Sequence, residues 1–211
     1  MSDREQLHRD FAMESLGREL TRLAREKQLD PILATEPLLH TLTTLLAAGH
    51  SPILVGRDGV GKGAAVEAMA GKIALPPRSL PDCLKERPVL DCDIIAFQSG
   101  CIYTHEFETR MESIVRKCRE ARVILFIKLL HLAVKAGAMT GYEERTVATL
   151  LTPCLSRREV CVIGTTTPEG YRAILRHNPR FAACLTPVEV PEHTAEQTLA
   201  GVQQQYDQVR L

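Results

Sequence analysis

The chain of 211 residues contains no tryptophan, and aromatic residues make up only 4% of its composition. Any core must therefore be built from aliphatic side chains. Acidic and basic side chains number 26 each, so the basic excess that is typical of nucleic-acid-binding proteins is missing. No apolar run approaches the roughly 20 residues that span a bilayer, and the charged N-terminus lacks the apolar core of a signal peptide. We therefore expect no nucleic-acid partner, no membrane partner and a cytoplasmic location.

The spacings that are typical of metal sites are missing as well. The seven cysteines are scattered without a Cys-x-x-Cys pair, and the seven histidines form neither His-x-x-x-His nor His-Glu-x-x-His. Such spacings are the usual signatures of zinc sites. We expect reduced thiols within an aliphatic core and no metal site.

Apolar and amphipathic segments alternate along the chain. In the first 28 residues, apolar side chains recur at three- and four-residue steps between charged ones, which predicts a helix. Farther along, fully apolar strands separated by amphipathic helices are typical of a parallel sheet covered on both faces. The predicted strands are 52–55, 89–95, 123–127, 160–164 and 187–190, and the predicted helices are 36–48, 62–73, 106–121, 143–155, 169–175 and 194–209.

A phosphate-binding loop stands between the first of these strands and the helix that follows. Gly56 is followed by four residues and then by Gly61 and Lys62, which is the P-loop pattern in its required strand–loop–helix setting. Glycines allow the backbone N–H groups to wrap a phosphate, the helix N-terminus favours negative charge, and the lysine reaches the terminal phosphates. The spacing predicts a nucleotide site.

The residues that would hold magnesium are replaced. A serine or threonine hydroxyl should follow the P-loop lysine, and Gly63 stands there instead. An acidic pair should follow the apolar strand 123–127 to hold the ion and activate water, and the chain has Lys128 and Leu129. We expect neither magnesium nor hydrolysis.

Two interpretations of Lys128 are open at this point. Its ammonium could stand close to the place of the ion and neutralise phosphate charge, or it could be a strand-end lysine that points into solvent. Nearby in the predicted sheet, Asp91 and Asp93 flank Cys92, and we interpret them as a solvated pair at a strand edge.

From about residue 11 to residue 206, the chain resembles the first AAA+ module of the Clp chaperone and unfoldase family. The similar segments are Gly17-Arg18-Glu19-Leu20-Thr21 with Leu29-Asp30-Pro31-Ile32, Pro52-Ile53-Leu54-Val55-Gly56, Tyr103-x-x-Glu106-Phe107-Glu108-x-Arg110, 123–131, Leu150-Leu151-x-Pro153 and Ile163-Gly164-Thr165-Thr166-Thr167 with Glu169-x-Tyr171-Arg172. The resemblance implies a three-layer α/β fold with a five-stranded parallel sheet. It also implies a leading helix over 1–30 and a large AAA+ subdomain over 31–211, without the family's helical lid.

The resemblance further implies roles for individual residues. Pro31 and Ile32 would line the adenine pocket, Tyr103 would face a central pore through which polypeptides pass, and Thr166 would sense the terminal phosphate. The phosphates of ATP or ADP would lie against Gly56, Gly59, Val60, Gly61, Lys62 and Gly63.

The paired arginine fingers of the family are replaced by Ala183-Cys184-Leu185, and Arg180 is a candidate for a displaced finger. Three functions are compatible with these residues. The one we favour is a non-hydrolysing pseudo-ATPase module that acts in chaperone regulation through protein contacts. The others are part of a working ATP-dependent unfoldase and an adaptor or antagonist of an intact Clp-type ring. The expected partners are other Clp-like subunits or another protein.

Overall fold

The structure, a computed structural model, describes residues 17–29, 35–93, 104–134 and 146–192. The strands in these ranges are β1 (Arg18–Glu19), β2 (Ser51–Val55), β3 (Val89–Asp91), β4 (Ile124–Ile127), β5 (Cys161–Thr166) and β6 (Leu185–Glu189). The helices are α1 (Leu20–Arg25), α2 (Glu36–Ala47), α3 (Lys62–Ala74), α4 (Thr104–Glu120), α5 (Leu130–Ala133), α6 (Val147–Ser156), α7 (Pro168–His177) and α8 (Pro179–Ala182).

The strands form one sheet in the order β1-β3-β4-β5-β2-β6. Strands β3, β4, β5, β2 and β6 run parallel, which confirms the predicted five-stranded parallel sheet. In a parallel sheet the carboxyl ends of the strands share one edge, where ligands usually bind. The ends of β2, β4 and β5 therefore bring the P-loop, Lys128 and Thr166 to the same edge.

Aliphatic cores cover both faces of the sheet, as the apolar strands predict. On one face, Leu54 and Phe126 pack with α1, α2 and α3 around Met69. On the other, Ile53 and Leu125 pack with α4, α6 and α8. Because successive residues of a strand point to opposite faces, one short apolar segment serves both cores.

The prediction of a continuous helix over the first 28 residues is wrong at residues 18 and 19. Arg18 and Glu19 pair antiparallel with Asp91 and Leu90, adding a sixth strand at the edge of the sheet. A side chain at Gly17 would collide with the carbonyl of Asp91, so glycine allows this close approach. The edge strand β3 offers unpaired backbone N–H and C=O groups, and hydrogen bonds to these groups favour an extended conformation at residues 18 and 19 despite the helical spacing of apolar side chains.

Two short helices, α5 and α8, are absent from the sequence prediction, because four residues are too few for a recognisable period. Strand β5 also extends to Thr166, two residues beyond its predicted end. The predicted helix 194–209 and the predicted strand residues 94–95 lie outside the described ranges. In the described part of the chain, no helix has the length and apolar character needed to cross a membrane.

Candidate nucleotide site

The P-loop connects β2 to α3 at the carboxyl edge of the sheet. Gly59 and Gly61 have φ angles of 80° and 90°, a left-handed conformation that glycine adopts at no steric cost. Gly61 is the N-cap of α3, and the first turn of that helix contains no acidic residue. The positive end of the helix dipole therefore lies directly beside the glycine turns of the loop, an arrangement that suits a phosphate group. The loop fits the predicted nucleotide.

Lys62 occupies the first position of α3 and turns its side chain back toward the loop. Its Nζ donates hydrogen bonds to the carbonyl oxygens of Gly56 at 2.8 Å and Arg57 at 2.6 Å. Burial lowers the pKa of Lys62, and the Asp58 carboxylate, 3.9 Å from Nζ, partly offsets this. A phosphate that enters the loop would compete with these two carbonyls for the ammonium.

Gly63 faces open space. An added Cβ at this position would have no heavy atom within 4 Å, so the site can accommodate a serine hydroxyl that the chain does not supply. No steric restriction therefore requires glycine at this position.

The structure overturns the interpretation of Asp91 as a solvated residue at the end of β3. The Lys128 ammonium, which is 49% exposed, has a partner that neither interpretation included, because it donates to Oδ2 of Asp91 at 2.8 Å. Asp91 belongs to no solvated pair, since its side chain is only 9% exposed. The ammonium also lies 5.5 Å from the centroid of the Phe126 ring, within range of a cation–π interaction. Strand pairing explains the contact, since Asp91 stands opposite Phe126, two residues before Lys128.

Leu129, which stands at the place of the second acid, has a left-handed backbone with φ 46° and ψ 48°. Its N–H donates to Oγ1 of Thr165 at 3.3 Å, and its side chain is 41% exposed. An aliphatic side chain there can neither bind a cation nor accept a proton from water.

Thr166 is fully buried at the end of β5, and its Oγ1 lies 2.9 Å from Nδ1 of His131 in α5. His131 is half-buried, and burial is the main factor that lowers its pKa; Asp58 raises the pKa by a smaller amount, and Lys62 lowers it further. Sequence reasoning assigned no role to His131 or to Asp91. Both contacts are tertiary, that of Asp91 with Lys128 after β4 and that of His131 in α5 with Thr166 at the end of β5, and the sequence contains no local signal for either.

At the opposite end of the sheet, Cys184 replaces one of the expected finger arginines. Its Sγ lies 3.2 Å from Oγ of Ser156 in α6. Arg180, the candidate displaced finger, is an exposed residue of α8 and lines a cleft of about 500 Å³ together with Arg158 and Cys184. This cleft lies before β6, whereas the P-loop follows β2, so Arg180 does not belong to the nucleotide site of its own chain.

Several predicted residues lie outside the described ranges, namely Pro31, Ile32 and Tyr103. Their assignment to the adenine pocket and the pore stays a prediction. The structure brings together Gly56, Gly59, Val60, Gly61, Lys62 and Gly63 in one loop and places Thr166 beside it, where Gly56 N–H donates to the Thr166 carbonyl at 3.2 Å.

Comparisons with known proteins agree with this arrangement. Residues 52–186 match the family model "ATPase family associated with various cellular activities (AAA)". The chain is 34% identical over 201 residues to the chaperone protein ClpC2 of Arabidopsis thaliana chloroplasts and 35% identical over 190 residues to the chaperone protein ClpB of Aquifex aeolicus. These alignments cover 92% and 89% of this chain but only 21% and 18% of the relatives.

Solved structures show the same relationship. A closed-state cryo-electron microscopy reconstruction of Hsp104 with ATPγS and casein superposes with a TM-score of 0.79 at 27% identity, covering 91% of this chain and 32% of that one. The ADP complex of Saccharomyces cerevisiae Hsp104 gives a TM-score of 0.78 at 28% identity, covering 90% of this chain and 32% of that one. The chain thus spans about a fifth of the relatives and a third of these structures.

Proposed function

Because the chain belongs to the AAA family of ATPases and is similar to Clp chaperones, we propose that it is a degenerate Clp-like module that binds ATP or ADP without hydrolysing it and acts through contacts with other proteins. The observation that carries this proposal is the ion pair of Lys128 with Asp91 at the end of β4. The lysine of this pair stands at the sequence position where hydrolysing P-loop proteins have an acid that holds magnesium.

Charge makes this position unsuitable for magnesium. A lysine in place of an aspartate changes the local charge by two units, and each unit at about 4 Å contributes about 4 kcal/mol at an effective dielectric of about 20. Asp91, a buried carboxylate nearby, is already neutralised by the same lysine. Gly63 lacks a hydroxyl, and the described residues contain no cluster of three or more acidic, histidine or cysteine side chains that could hold a divalent cation.

Nucleotide binding is supported by the part of the site that is intact. The left-handed glycines, the N-terminus of α3 and Lys62 are arranged to hold phosphates without any contribution from Lys128 or Leu129. Binding should therefore be independent of magnesium, because the groups that remain are cations and N–H donors.

The hydrolysis part of the proposal is tested by a phosphate-release assay on the full chain with ATP and magnesium. We expect no turnover above background, because the water-activating acid is replaced by Leu129. The matched control is Lys62→Ala, which removes the P-loop ammonium. Turnover of about one per second that disappears in Lys62→Ala would refute the proposal.

The binding part is tested by thermal melts with ATP, once with magnesium and once with EDTA. Ligand at about 100 times its Kd should stabilise the chain by about 2.7 kcal/mol, and the EDTA melt should equal or exceed the magnesium melt. The variant Gly63→Ser with Lys128→Asp should reverse this order, because it supplies a hydroxyl and a carboxylate to the ion. If ATP stabilised the unmodified chain in magnesium but not in EDTA, the proposal would be contradicted.

Protein contact is the activity that does not depend on hydrolysis. We place the partner among Clp-like subunits, since the packing surfaces of a subunit remain when its chemistry is lost. A symmetric ring uses two different sides of each subunit head to tail, and the side with Ala183-Cys184-Leu185 lacks the family's arginines. We expect a monomer or weak dimer in light scattering at micromolar concentration. A stable hexamer without nucleotide or partner would overturn this expectation. We propose a cytoplasmic location, which is supported by the cysteines of the described residues, since none of them forms a disulfide.

A further inference from the structure

The hydroxyl of Thr166 cannot meet a ligand directly. The residue has no exposed surface, and its Oγ1 is engaged with Nδ1 of His131 at 2.9 Å. The role of terminal-phosphate sensor that the resemblance implies for Thr166 therefore requires another group between this hydroxyl and the phosphate.

The position of His131 suits it to stand between the Thr166 hydroxyl and a phosphate. It lies in α5, which follows the end of β4, and its ring is half-buried. Thr166, which contacts the ring through its hydroxyl, accepts a hydrogen bond from Gly56 N–H through its carbonyl at 3.2 Å, so a single residue separates His131 from the P-loop. Among the described residues, Nε2 of His131 forms no hydrogen bond, so this nitrogen is the part of the ring left for a ligand.

Packing holds the ring against Thr166. A Cβ at Gly170 of α7 would lie 2.6 Å from Cγ and 2.7 Å from Nδ1 of His131, and it would also collide with the Thr166 hydroxyl. Any side chain at residue 170 would have to displace the ring. Gly170 thus allows α7 to press His131 onto Thr166, and the ring is fixed by packing as well as by its hydrogen bond.

We infer that His131 contacts the terminal phosphate of a bound nucleoside triphosphate through Nε2–H, and that Thr166 is a positioning residue for His131. When the Thr166 hydroxyl donates to Nδ1, the proton of the neutral ring is on Nε2, which then donates to an anionic oxygen. The contact distinguishes a triphosphate from a diphosphate. This inference rests on the nucleotide binding proposed above.

The test is equilibrium binding of fluorescently labelled ATP and ADP to the full chain in EDTA. A hydrogen bond to a charged group is worth about 1.5–3 kcal/mol, so His131→Ala should weaken ATP binding by about 10- to 150-fold and change ADP binding by less than about twofold. Thr166→Val should reduce the preference for ATP by a smaller factor, while Thr166→Ser, which keeps the hydroxyl, should restore it. His40→Ala, at an exposed position of α2, is the matched control and should change neither affinity.

A second measurement begins with the unmodified chain and adds one variant. In ring ¹⁵N spectra of the unmodified chain, His131 should show its proton on Nε2, and ATP should shift the ring resonances more than ADP does. Gly170→Ala should abolish that difference, since it separates the ring from Thr166 without removing either functional group.

The outcomes separate the two proposals. If the chain binds neither nucleotide, nucleotide binding is refuted and this inference with it. If the chain prefers ATP and folded His131→Ala keeps that preference, nucleotide binding stands and His131 is not the contact. A proton on Nδ1 in the ring spectra, or equal shifts with ATP and ADP, would also overturn the inference.

Discussion

The ion pair between Lys128 and Asp91 allows a quantitative test of how the end of β4 is organised. Coulomb's law gives a pair 2.8 Å apart about 1.5 kcal/mol in a water-like medium and about 6 kcal/mol at an effective dielectric of about 20. Although Asp91 is only 9% exposed, Lys128 is 49% exposed and water screens its charge. We therefore expect an interaction energy near the lower of these two values. Removing the lysine leaves a buried carboxylate without its partner, a loss that we place at about 2 kcal/mol.

Three variants distinguish the interaction energy of the pair from the contributions of the individual residues, namely Lys128→Met, Asp91→Asn and the double substitution. Each single variant should lower the free energy of unfolding in urea by about 2 kcal/mol, and the double variant by little more than one of them. The coupling energy should therefore be about 1–2 kcal/mol. Lys72→Met, which breaks the more exposed pair with Glu36, is the control and should cost less than about 0.5 kcal/mol.

The charge-reversed variant Lys128→Asp adds a pH signature. It places a second carboxylate beside Asp91, so the pKa of one of the two acids should rise in the folded state. The added loss of stability relative to Lys128→Met should be present at pH 7 and disappear as the pH falls toward about 4. A coupling energy below about 0.3 kcal/mol, or a loss independent of pH, would refute this account and make Lys128 an ordinary solvated lysine.

Three further predictions concern the stability of other parts of the chain. Burial raises the pKa of Cys92 and of Cys118 to about 12. The folded state therefore keeps these protons above pH 9, and urea melts should show a loss of about 1.4 kcal/mol per thiol between pH 8 and pH 10, which alanine variants abolish. Thr146→Ala removes the capping box of α6 and should lower the free energy of unfolding by about 1 kcal/mol, and an unchanged urea midpoint would contradict the cap. Leu129→Gly removes the steric strain of a left-handed backbone and should raise the free energy of unfolding by up to about 1 kcal/mol. A lower free energy of unfolding would show that the contacts of the Leu129 side chain outweigh this strain.

Local patterns in the sequence were sufficient for the parallel sheet and the P-loop. Residues 52–62 contain the apolar strand, both turn glycines and the lysine in one short segment, and β2 and α3 form there. The missing hydroxyl at Gly63 and the missing acids at Lys128 and Leu129 are likewise properties of single positions. Such features depend on residues close together in the chain, where spacing is informative.

The partners of these residues required the tertiary structure. Asp91 is 37 residues from Lys128, and His131 is 35 residues from Thr166. Each contact exists because parallel strands place their carboxyl ends side by side, and the order β3-β4-β5 decides which ends are neighbours. The pairing of Arg18 and Glu19 with β3 has the same origin, since an edge strand offers free backbone groups to whichever segment lies beside it. Sequence thus determined which residues could act at the edge of the sheet, and strand order determined which of them touch.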